Sequence, residues 1–379
     1  MQELKEGGFG LKAWPLVGIA LMQAFLLAAH GFIYHTWMAF WWPIGPEATL
    51  ALRVVFLLLA FSFMTAALLG FYSANRLVTL LYRVASVWLG FLNYFFWAAC
   101  LCWPSSFAIT LLGFHAERPM LVAVLYGLAI LTGVYGLVNV RILHVRRIGI
   151  KLPGLPDSWR GRTALVVSDL HLGHVNGAGF SRRIVALAAR LKPDIIFLPG
   201  DIFDGAKFDS ATLAEPFRQL SPPFGSYFTT GNHDEFGNAA YYTEVLTHVG
   251  IRVLNNEMVT VDGLQIVGVS YGDSGFPIRL RTTLDNLHLE RGRASILLNH
   301  VPNRLPVVEQ AGFSLQLSGH THGGQLFPFT WFTRRAFGRF TFGLQRFGNL
   351  QVYTSSGAGS WGPPMRVGSS AEVVLITFE

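Results

Sequence analysis

The stretch Val166-Val167-Ser168-Asp169-Leu170-His171 decides the fold of this chain, because a short apolar run ends there in two potential metal ligands. The run predicts a buried strand, with Asp169 and His171 leaving it at its carboxyl end. In open α/β sheets, ligands bind in the crevice outside the carboxyl ends of the strands. The stretch therefore predicts an α/β domain with a metal site at one edge of a sheet.

Three later segments repeat this pattern of an apolar run followed by polar side chains. They are Ile195-Ile196-Phe197-Leu198-Pro199-Gly200-Asp201, Tyr227-Phe228-Thr229-Thr230-Gly231-Asn232-His233-Asp234 and Leu315-Gln316-Leu317-Ser318-Gly319-His320-Thr321-His322. Gly200, Gly231 and Gly319 stand directly before candidate ligands, where a residue without a Cβ lets the backbone turn tightly and approach a metal. Each segment alone is a weak signal, but their recurrence after successive strands predicts one shared site.

The polar residues after the predicted strands comprise two carboxylates, one amide and five imidazoles. They are Asp169, His171, Asp201, Asn232, His233, His300, His320 and His322. Such a mixed set suits Mn²⁺, Fe²⁺ or Zn²⁺ better than Ca²⁺, which prefers oxygen ligands alone. The set is larger than one ion needs, so we expect two ions that share one carboxylate. Two such ions can generate hydroxide from a bridging water and bind both sides of a phosphoryl group during in-line displacement.

The composition divides the chain into two parts. Of 379 residues, 51% are apolar and only 13% are charged, which is too apolar for one soluble domain. Residues 1–150 carry 9 Lys/Arg and 4 Asp/Glu, whereas residues 151–379 carry 20 and 18. The net charge of +7 comes without a basic cluster or a binding motif, so nucleic acid is not an expected partner. Cys100 and Cys102 both lie in one apolar segment, which excludes a disulfide framework.

The first part contains four apolar segments that are each long enough to cross a membrane. They are residues 15–37, 49–71, 80–103 and 120–143. A helix of about 20 apolar residues spans a hydrocarbon core about 30 Å thick. Tryptophans at the segment edges, such as Trp14 and Trp103, fit the aromatic belt of membrane helices. We therefore expect residues 1–150 to form a transmembrane domain of four helices, with the lipid bilayer as a partner.

The distribution of Lys and Arg predicts how this domain is oriented, because these residues favour the cytoplasmic side. Eight of them flank the two ends of the domain or the connection between the second and third spans: Lys5, Lys12, Arg76, Arg83, Arg141, Arg146, Arg147 and Lys151. The other two connections offer only Arg53 and Arg118. We therefore expect residues 151–379 to lie on the cytoplasmic face.

The second part alternates apolar runs with helical patterns after a linker rich in Pro and Gly at residues 151–157. Helices are expected at 180–191, 211–220 and 239–249, and strands at 164–168, 195–199, 259–261, 264–269, 295–298, 315–318, 352–355 and 373–378. This order predicts an α/β sandwich of layered sheets flanked by helices.

Taken together, the motifs resemble the complete motif series of the calcineurin-like metallophosphoesterase superfamily, over residues 163–379. The residues that carry the resemblance are Asp169-x-His171, Gly200-Asp201, Gly231-Asn232-His233-Asp234, His300 and Gly319-His320-Thr321-His322. The segments 319–325 and 352–359 resemble more narrowly the bacterial YkuE/YaeI-type branch of membrane-associated phosphohydrolases. The resemblance implies a metallophosphoesterase β-sandwich flanked by helices, acting on phosphoric ester or anhydride bonds at the bacterial inner membrane.

The resemblance also implies a role for each matching residue. The first metal would be held by Asp169, His171, Asp201 and His322, and the second by Asp201, Asn232, His300 and His320. His233 matches the family's catalytic histidine, which would stabilise the transition state and protonate the leaving oxygen. We expect Asp234 to orient the His233 ring and Asp204 to shape its loop. The implied cofactors are two divalent ions, with Mn²⁺ expected and Fe or Zn as alternatives.

A basic and aromatic stretch follows the last candidate ligands. Residues 326–347 contain no acidic residue, and their candidate contacts with substrate or membrane are Trp331, Arg334, Arg335 and Arg339. An anionic bilayer surface, a phosphate or an acyl chain would each suit this stretch, as would packing against the rest of the protein.

Three functions remain open at this point. The first is metal-dependent hydrolysis of a phosphodiester or pyrophosphate bond in a lipid-linked substrate, and the second is the same chemistry on a soluble phosphoester with the spans as an anchor only. The third is a non-catalytic membrane scaffold or receptor. The sequence predicts neither the oligomeric state nor the identity of the substrate.

Overall fold

The computed structural model describes residues 10–114 and 117–379, and for residues 10–15 it describes the backbone only. Lys5, which contributed to the orientation prediction, lies outside the described residues. The chain divides into two compact units, Met1–Tyr135 and Gly136–Glu379.

The first unit contains four long apolar helices, α1 (Gly10–Phe40), α2 (Pro46–Tyr72), α3 (Arg76–Leu111) and α4 (Arg118–Asn139), the last of which ends in the second unit. By length and composition, each could cross a membrane. The local sequence explains where two of these helices begin. Pro46 stands in the first turn of α2, where a missing N–H costs nothing, and Asn75 caps α3 by accepting a hydrogen bond from the Val78 N–H at 2.8 Å.

The second compact unit begins at Gly136, before the domain boundary expected after residue 150. A strand, β1 (Leu143–Ile150), pairs in parallel along its whole length with β12 (Ala371–Phe378). Residues 143–150 therefore belong to the second unit, and the fourth span, expected to reach residue 143, ends at Asn139. Arg146, counted above as a membrane-flanking charge, lies within this strand and pairs with Glu372 at 3.0 Å. The apolar residues of β1 follow α4 so closely that the sequence alone merges the two elements.

The described residues of the second unit form two six-stranded sheets. The first has the order β1-β12-β2-β3-β4-β5, with β2 (Thr163–Val166), β3 (Ile195–Pro199), β4 (Ser226–Thr229) and β5 (Arg252–Val253). The second has the order β10-β11-β9-β8-β7-β6, with β6 (Glu257–Val261), β7 (Leu264–Gly268), β8 (Ser295–Leu298), β9 (Leu315–Ser318), β10 (Gly343–Phe347) and β11 (Leu350–Thr354). The strands β2 to β5 are mutually parallel, and so are β7, β8, β9 and β11.

Eight helices accompany the described strands of this unit. They are α5 (Ala178–Leu191), α6 (Ser210–Ala214), α7 (Asn232–Phe236), α8 (Ala239–His248), α9 (Tyr271–Ser274), α10 (Pro277–Asn286), α11 (Leu305–Ala311) and α12 (Phe329–Phe337). The helices α7, α9, α11 and α12 were not expected from the sequence, because each has too few turns to show a helical period. The helix α10 was not expected either, although it is as long as α8.

The main core lies between the two sheets. Ala164 and Val166 of β2 point into it, together with Ile266 of β7 and Ile296 of β8. Leu165, between the first two, points to the other face of its sheet and packs with residues of α5 and α8. Because both faces of this sheet are covered, its strands are apolar throughout, which explains the continuous apolar runs in the sequence. The predicted α/β sandwich of two sheets flanked by helices is therefore confirmed.

Candidate metal centre

The carboxyl ends of five strands bring together the eight side chains proposed as metal ligands or as the catalytic histidine. Asp169 and His171 follow β2, Asp201 follows β3, and Asn232 and His233 begin α7 after β4. His300 follows β8, and His320 and His322 follow β9. These side chains come from both sheets, so the site lies where the edges of the two sheets meet. Most of them are buried, whereas the His233 side chain keeps 18% of its surface exposed.

Asp169, His171 and His322 form one group whose ligand atoms lie within 4.8 Å of one another. His171 Nε2 and His322 Nε2 are 3.0 Å apart, and His322 Nε2 is 3.5 Å from Asp169 Oδ1. Asp201 approaches the same group, with its Oδ2 3.7 Å from His171 Nε2. Imidazole nitrogens and carboxylate oxygens that converge in this way are a suitable ligand set for one transition-metal ion.

A second group of candidate ligands also includes Asp201. His300 Nε2 lies 3.2 Å from Asp201 Oδ2, and Asp169, Asp201 and His300 also offer ligand atoms within 4.8 Å of one another. His320 Nδ1 and Asn232 Oδ1 are 2.9 Å apart. Asp201 thus faces ligand atoms of both groups, as a carboxylate that bridges two ions would.

The tautomer of His300 fits a metal ligand. Its Nδ1 lies 2.9 Å from the carbonyl oxygen of Pro199 and therefore carries a proton, which leaves Nε2 as the nitrogen that could bind a metal. This Nε2 and the Nδ1 of His171 are buried, and each faces a carboxylate oxygen, Asp201 Oδ2 at 3.2 Å and Asp204 Oδ1 at 3.3 Å, without hydrogen-bond geometry. Buried ring nitrogens in this position are costly unless something binds them. The residues present therefore fit a pair of metal ions.

Backbone strain is concentrated at the same positions. Asp169, His171, Asp201, His320 and His322 all have a positive φ, between 46° and 70°. Non-glycine residues seldom adopt this left-handed conformation, and it persists where the surrounding structure enforces it. Gly319 relieves crowding in this region, because a Cβ there would stand 2.1 Å from the Oδ2 of Asp169. The close backbone approach at Gly319 is therefore to the side chain of Asp169.

The electrostatics divide the histidines into two kinds. Burial, and then the neighbouring His300, lower the pKa of His320 to about 4, so its ring is neutral at pH 7. Burial would also lower the pKa of His300, but the negative charge of Asp201 outweighs it and raises that pKa to about 10. Burial alone would raise the pKa of Asp201, yet His300 and His171 hold it well below its usual range. A metal ion bound here would therefore displace a proton from His300.

The Asp234 carboxylate contacts the backbone of the two ligand loops. Its two carboxylate oxygens accept hydrogen bonds from the backbone N–H groups of Asp201, Phe203 and Gly231 at 2.8 to 3.0 Å. The carboxylate thus caps the start of α7 and ties the two ligand loops together, and it does not orient the His233 ring. A glycine followed three residues later by an acid is a capping signal that the sequence did contain.

Asp204, expected only to shape its loop, is the carboxylate that faces His233. Its Oδ1 lies 3.7 Å from His233 Nδ1 and 3.3 Å from His171 Nδ1, and its carbonyl oxygen lies 3.3 Å from His233 Nδ1. His233 is also fixed through its backbone, because its N–H donates to Asp201 Oδ1 at 2.9 Å. The spacing of Asp204 three residues after Asp201 was the available sequence signal.

Arg366 is a fully buried cation beside the site that the sequence analysis missed. Its Nη2 lies 3.3 Å from His322 Nδ1 and donates to the carbonyls of Ser356, Gly357 and Gly359. Asn139 Nδ2, at the end of α4, donates to the Arg366 carbonyl at 3.0 Å. An isolated arginine in a loop carries no motif, so only the structure relates it to the site.

The basic and aromatic stretch lies beside the last ligands. Trp331, Arg334 and Arg335 are exposed on α12, and Arg339 is exposed just after it. The Phe337 ring at the end of α12 stands 6.0 Å from the His320 ring. The structure thus places this stretch next to the site and leaves its charged side chains accessible.

Comparisons with known proteins agree with this geometry. A family model described as calcineurin-like phosphoesterase matches residues 162–324. A Danio rerio protein described as a transmembrane protein with metallophosphoesterase domain is 33% identical over 266 residues, covering 65% of this chain and 60% of that protein. An uncharacterized metallophosphoesterase from Aquifex aeolicus is 31% identical over 258 residues, covering 66% of this chain and 98% of that protein.

The uncharacterized metallophosphoesterase YkuE from Bacillus subtilis is 30% identical over 244 residues, covering 61% of this chain and 83% of that protein. This similarity agrees with the branch suggested by segments 319–325 and 352–359. For the Danio rerio protein and two other relatives, this chain spans between 52% and 63% of the relative's length.

Proposed function

This chain belongs to the calcineurin-like metallophosphoesterase family, and we propose that it hydrolyses a phosphodiester or pyrophosphate bond with two divalent metal ions. One observation carries the proposal. Two groups of buried carboxylate, amide and imidazole ligand atoms meet at Asp201, on the edge where both sheets end. The family depends on two metals, which fits this arrangement, and Mn²⁺ is the ion we propose for it.

We assign the ligands by the groups in which they lie. Asp169, His171, Asp201 and His322 would hold the first ion, and Asp201, Asn232, His300 and His320 would hold the second. Two bound ions supply Lewis-acid activation of water and neutralise the charge of the phosphoryl group. The protein's own contribution is to fix the ligand positions through strained backbone and through buried hydrogen bonds such as that from His300 Nδ1 to Pro199.

His233 is the proposed catalytic residue, because it borders both groups without belonging to the proposed ligand set. Its ring is 4.7 Å from the His171 ring and remains partly exposed, so a bound phosphoester could reach it. Burial and the neighbouring His171 lower the pKa of this imidazole. A phosphoryl anion beside the ring would favour the imidazolium form, which can stabilise the transition state and donate a proton to the leaving oxygen. Asp204 would hold the ring in place.

We further propose that the substrate is lipid-linked and that the catalytic domain faces the cytoplasm at a bacterial inner membrane. The four apolar helices and the relatives described as transmembrane proteins support a membrane protein. The excess of Lys and Arg at the ends of the helical domain supports the cytoplasmic orientation. An enzyme held at a membrane surface meets lipid-linked phosphates at high local concentration, which favours them over soluble phosphoesters.

The substrate proposal is tested by comparing two substrates under the same Mn²⁺ supply. One is a soluble aryl phosphodiester, and the other is a lipid phosphodiester presented in detergent micelles. We expect a higher kcat/KM for the lipid. Equal values would contradict the lipid preference and favour the soluble substrate. Absence of hydrolysis of either substrate, in a protein shown to contain metal, would favour the scaffold.

A further inference from the structure

Large aromatic side chains are exposed around the mouth of the metal site. Five of them are named here the aromatic rim: Phe236, Phe329, Trp331, Phe332 and Trp361, each between 51% and 72% exposed. Each lies on a segment that follows the carboxyl end of a strand carrying or adjoining the site. Soluble surfaces rarely gather large apolar side chains in one region unless that region binds something apolar.

Two members of the rim lie close to the proposed catalytic histidine. The Trp361 ring lies 5.8 Å from the His233 ring, and the Phe236 ring lies 6.3 Å from it on another segment. Phe236 is further supported by Tyr271, at a ring distance of 6.0 Å. The entrance to the site is therefore bordered by apolar rings.

The other three members lie on α12, whose opposite face is fixed to the loop that carries His320 and His322. Thr330 packs so closely on Gly324 that a Cβ at Gly324 would stand 2.3 Å from the Thr330 Cα. The Thr330 N–H also donates to the Leu326 carbonyl. No residue of α12 is buried, so its outer face presents Phe329, Trp331 and Phe332 to the surroundings.

The positive charge around α12 indicates what kind of partner the aromatic rim would bind. Arg334, Arg335, Arg339 and Arg346 are exposed, and residues 320–347 contain no Asp or Glu. A helix with apolar rings on its outer face and arginines beside them suits the headgroup region of an anionic bilayer, where long cationic side chains reach the phosphates. With 9 residues, α12 is about 14 Å long, which is too short to cross a membrane. Such a helix lies on the surface.

We propose that α12 and the rest of the aromatic rim dock on an anionic lipid surface, so that the metal site opens toward the headgroups. The chain itself supplies a tether, because α4, a candidate span, ends at Asn139 and β1 begins at Leu143. This inference rests on the proposed function only where it relates docking to catalysis. Docking would also explain how a phosphate at the membrane surface reaches His233 without leaving the bilayer.

The test places a fluorophore on the rim of the full chain in lipid vesicles. In a chain with Cys100 and Cys102 replaced by alanine, Phe332→Cys on α12 is labelled with bimane. The matched control is Thr247→Cys, an exposed position near the end of α8, the helix that leads to the edge strand β5 of the first sheet. Vesicles of phosphatidylcholine with or without phosphatidylglycerol carry nitroxide-labelled lipids that quench a fluorophore in contact with the bilayer.

We expect strong lipid quenching at position 332 in the anionic vesicles and none at position 247. The quenching should be lost without phosphatidylglycerol and in the variant Arg334→Glu/Arg335→Glu. Equal quenching at the two positions would overturn the proposal. So would protection of the label at position 332 from aqueous iodide without lipid quenching, because a protein partner would then cover the rim. The Asp201→Asn variant should dock unchanged, so a failure of the proposed catalysis remains distinguishable from a failure of docking.

Discussion

Asp204 and Asp234 both lie close to His233, but their carboxylates contact different groups. Asp204 faces the ring nitrogens of His233 and His171, whereas Asp234 accepts only backbone N–H groups among the described residues. The first therefore acts on the orientation of the reacting side chains, and the second acts on the shape of the loops that carry them.

This difference predicts opposite results for a matched pair of variants. Asp204→Ala should lower kcat about 10–100-fold, with the metal content and the melting temperature little changed, because only the support of the rings is lost. Asp234→Ala should instead destabilise the protein by about 1–3 kcal/mol for each buried N–H left unpaired, and lower the metal content with it. Metal analysis, thermal unfolding and steady-state kinetics of both variants measure these effects. A loss of kcat in Asp234→Ala at full stability and metal content would contradict the assignment.

The sequence pointed to the proposed ligand residues because each follows an apolar strand, and parallel strands of one sheet end at a common edge. It gave no signal for Arg366, an isolated arginine in a loop, and it gave Asp204 only a role in shaping its loop, because spacing alone does not show that its carboxylate faces His233. The left-handed backbone at Asp169 and His322 was equally hidden, because nothing in those residue types requires it. Contacts between distant segments decide these features, such as that of Arg366 with His322 across 44 positions.

Among the secondary-structure elements, β1 is a strand that the sequence did not predict. Its residues alternate between half-buried and exposed positions only as far as Arg146, since Arg147 is exposed as well, and Ile150 at its end is fully buried. Such a pattern is weak, and the preceding apolar helix conceals it. The strand is recognisable only through its pairing with β12, which lies more than 200 residues further along the chain.

The placement of β1 predicts how truncated chains behave. A fragment of residues 136–379 should fold as a soluble unit, whereas a fragment of residues 151–379 should be less stable and prone to aggregate. Loss of the buried Ile150 side chain alone removes about 1.5–3 kcal/mol of apolar burial, and β12 becomes an unprotected edge strand. Thermal unfolding and size-exclusion chromatography of the two fragments provide the measurement. Equal stability would show that β1 is not part of the domain.

At the scale of the whole molecule, the chain combines four apolar helices with a metallophosphoesterase fold. The combination was predictable, because long apolar segments and strand-end ligand motifs are both local features of the sequence. The aromatic rim was predictable only in part. The sequence contains the rings and arginines of 326–347, but it does not relate them to Phe236 and Trp361, which come from other segments.

The central claim is that two metal ions share Asp201 in a hydrolytic site, and metal stoichiometry measured together with activity tests it most directly. The purified full chain, loaded with Mn²⁺ and freed of excess, should contain two ions per chain and hydrolyse a phosphodiester. Asp201→Asn should contain at most one ion and lose hydrolysis, while the surface control Asp157→Asn should match the unmodified chain. Two ions and undiminished hydrolysis in Asp201→Asn would contradict the account.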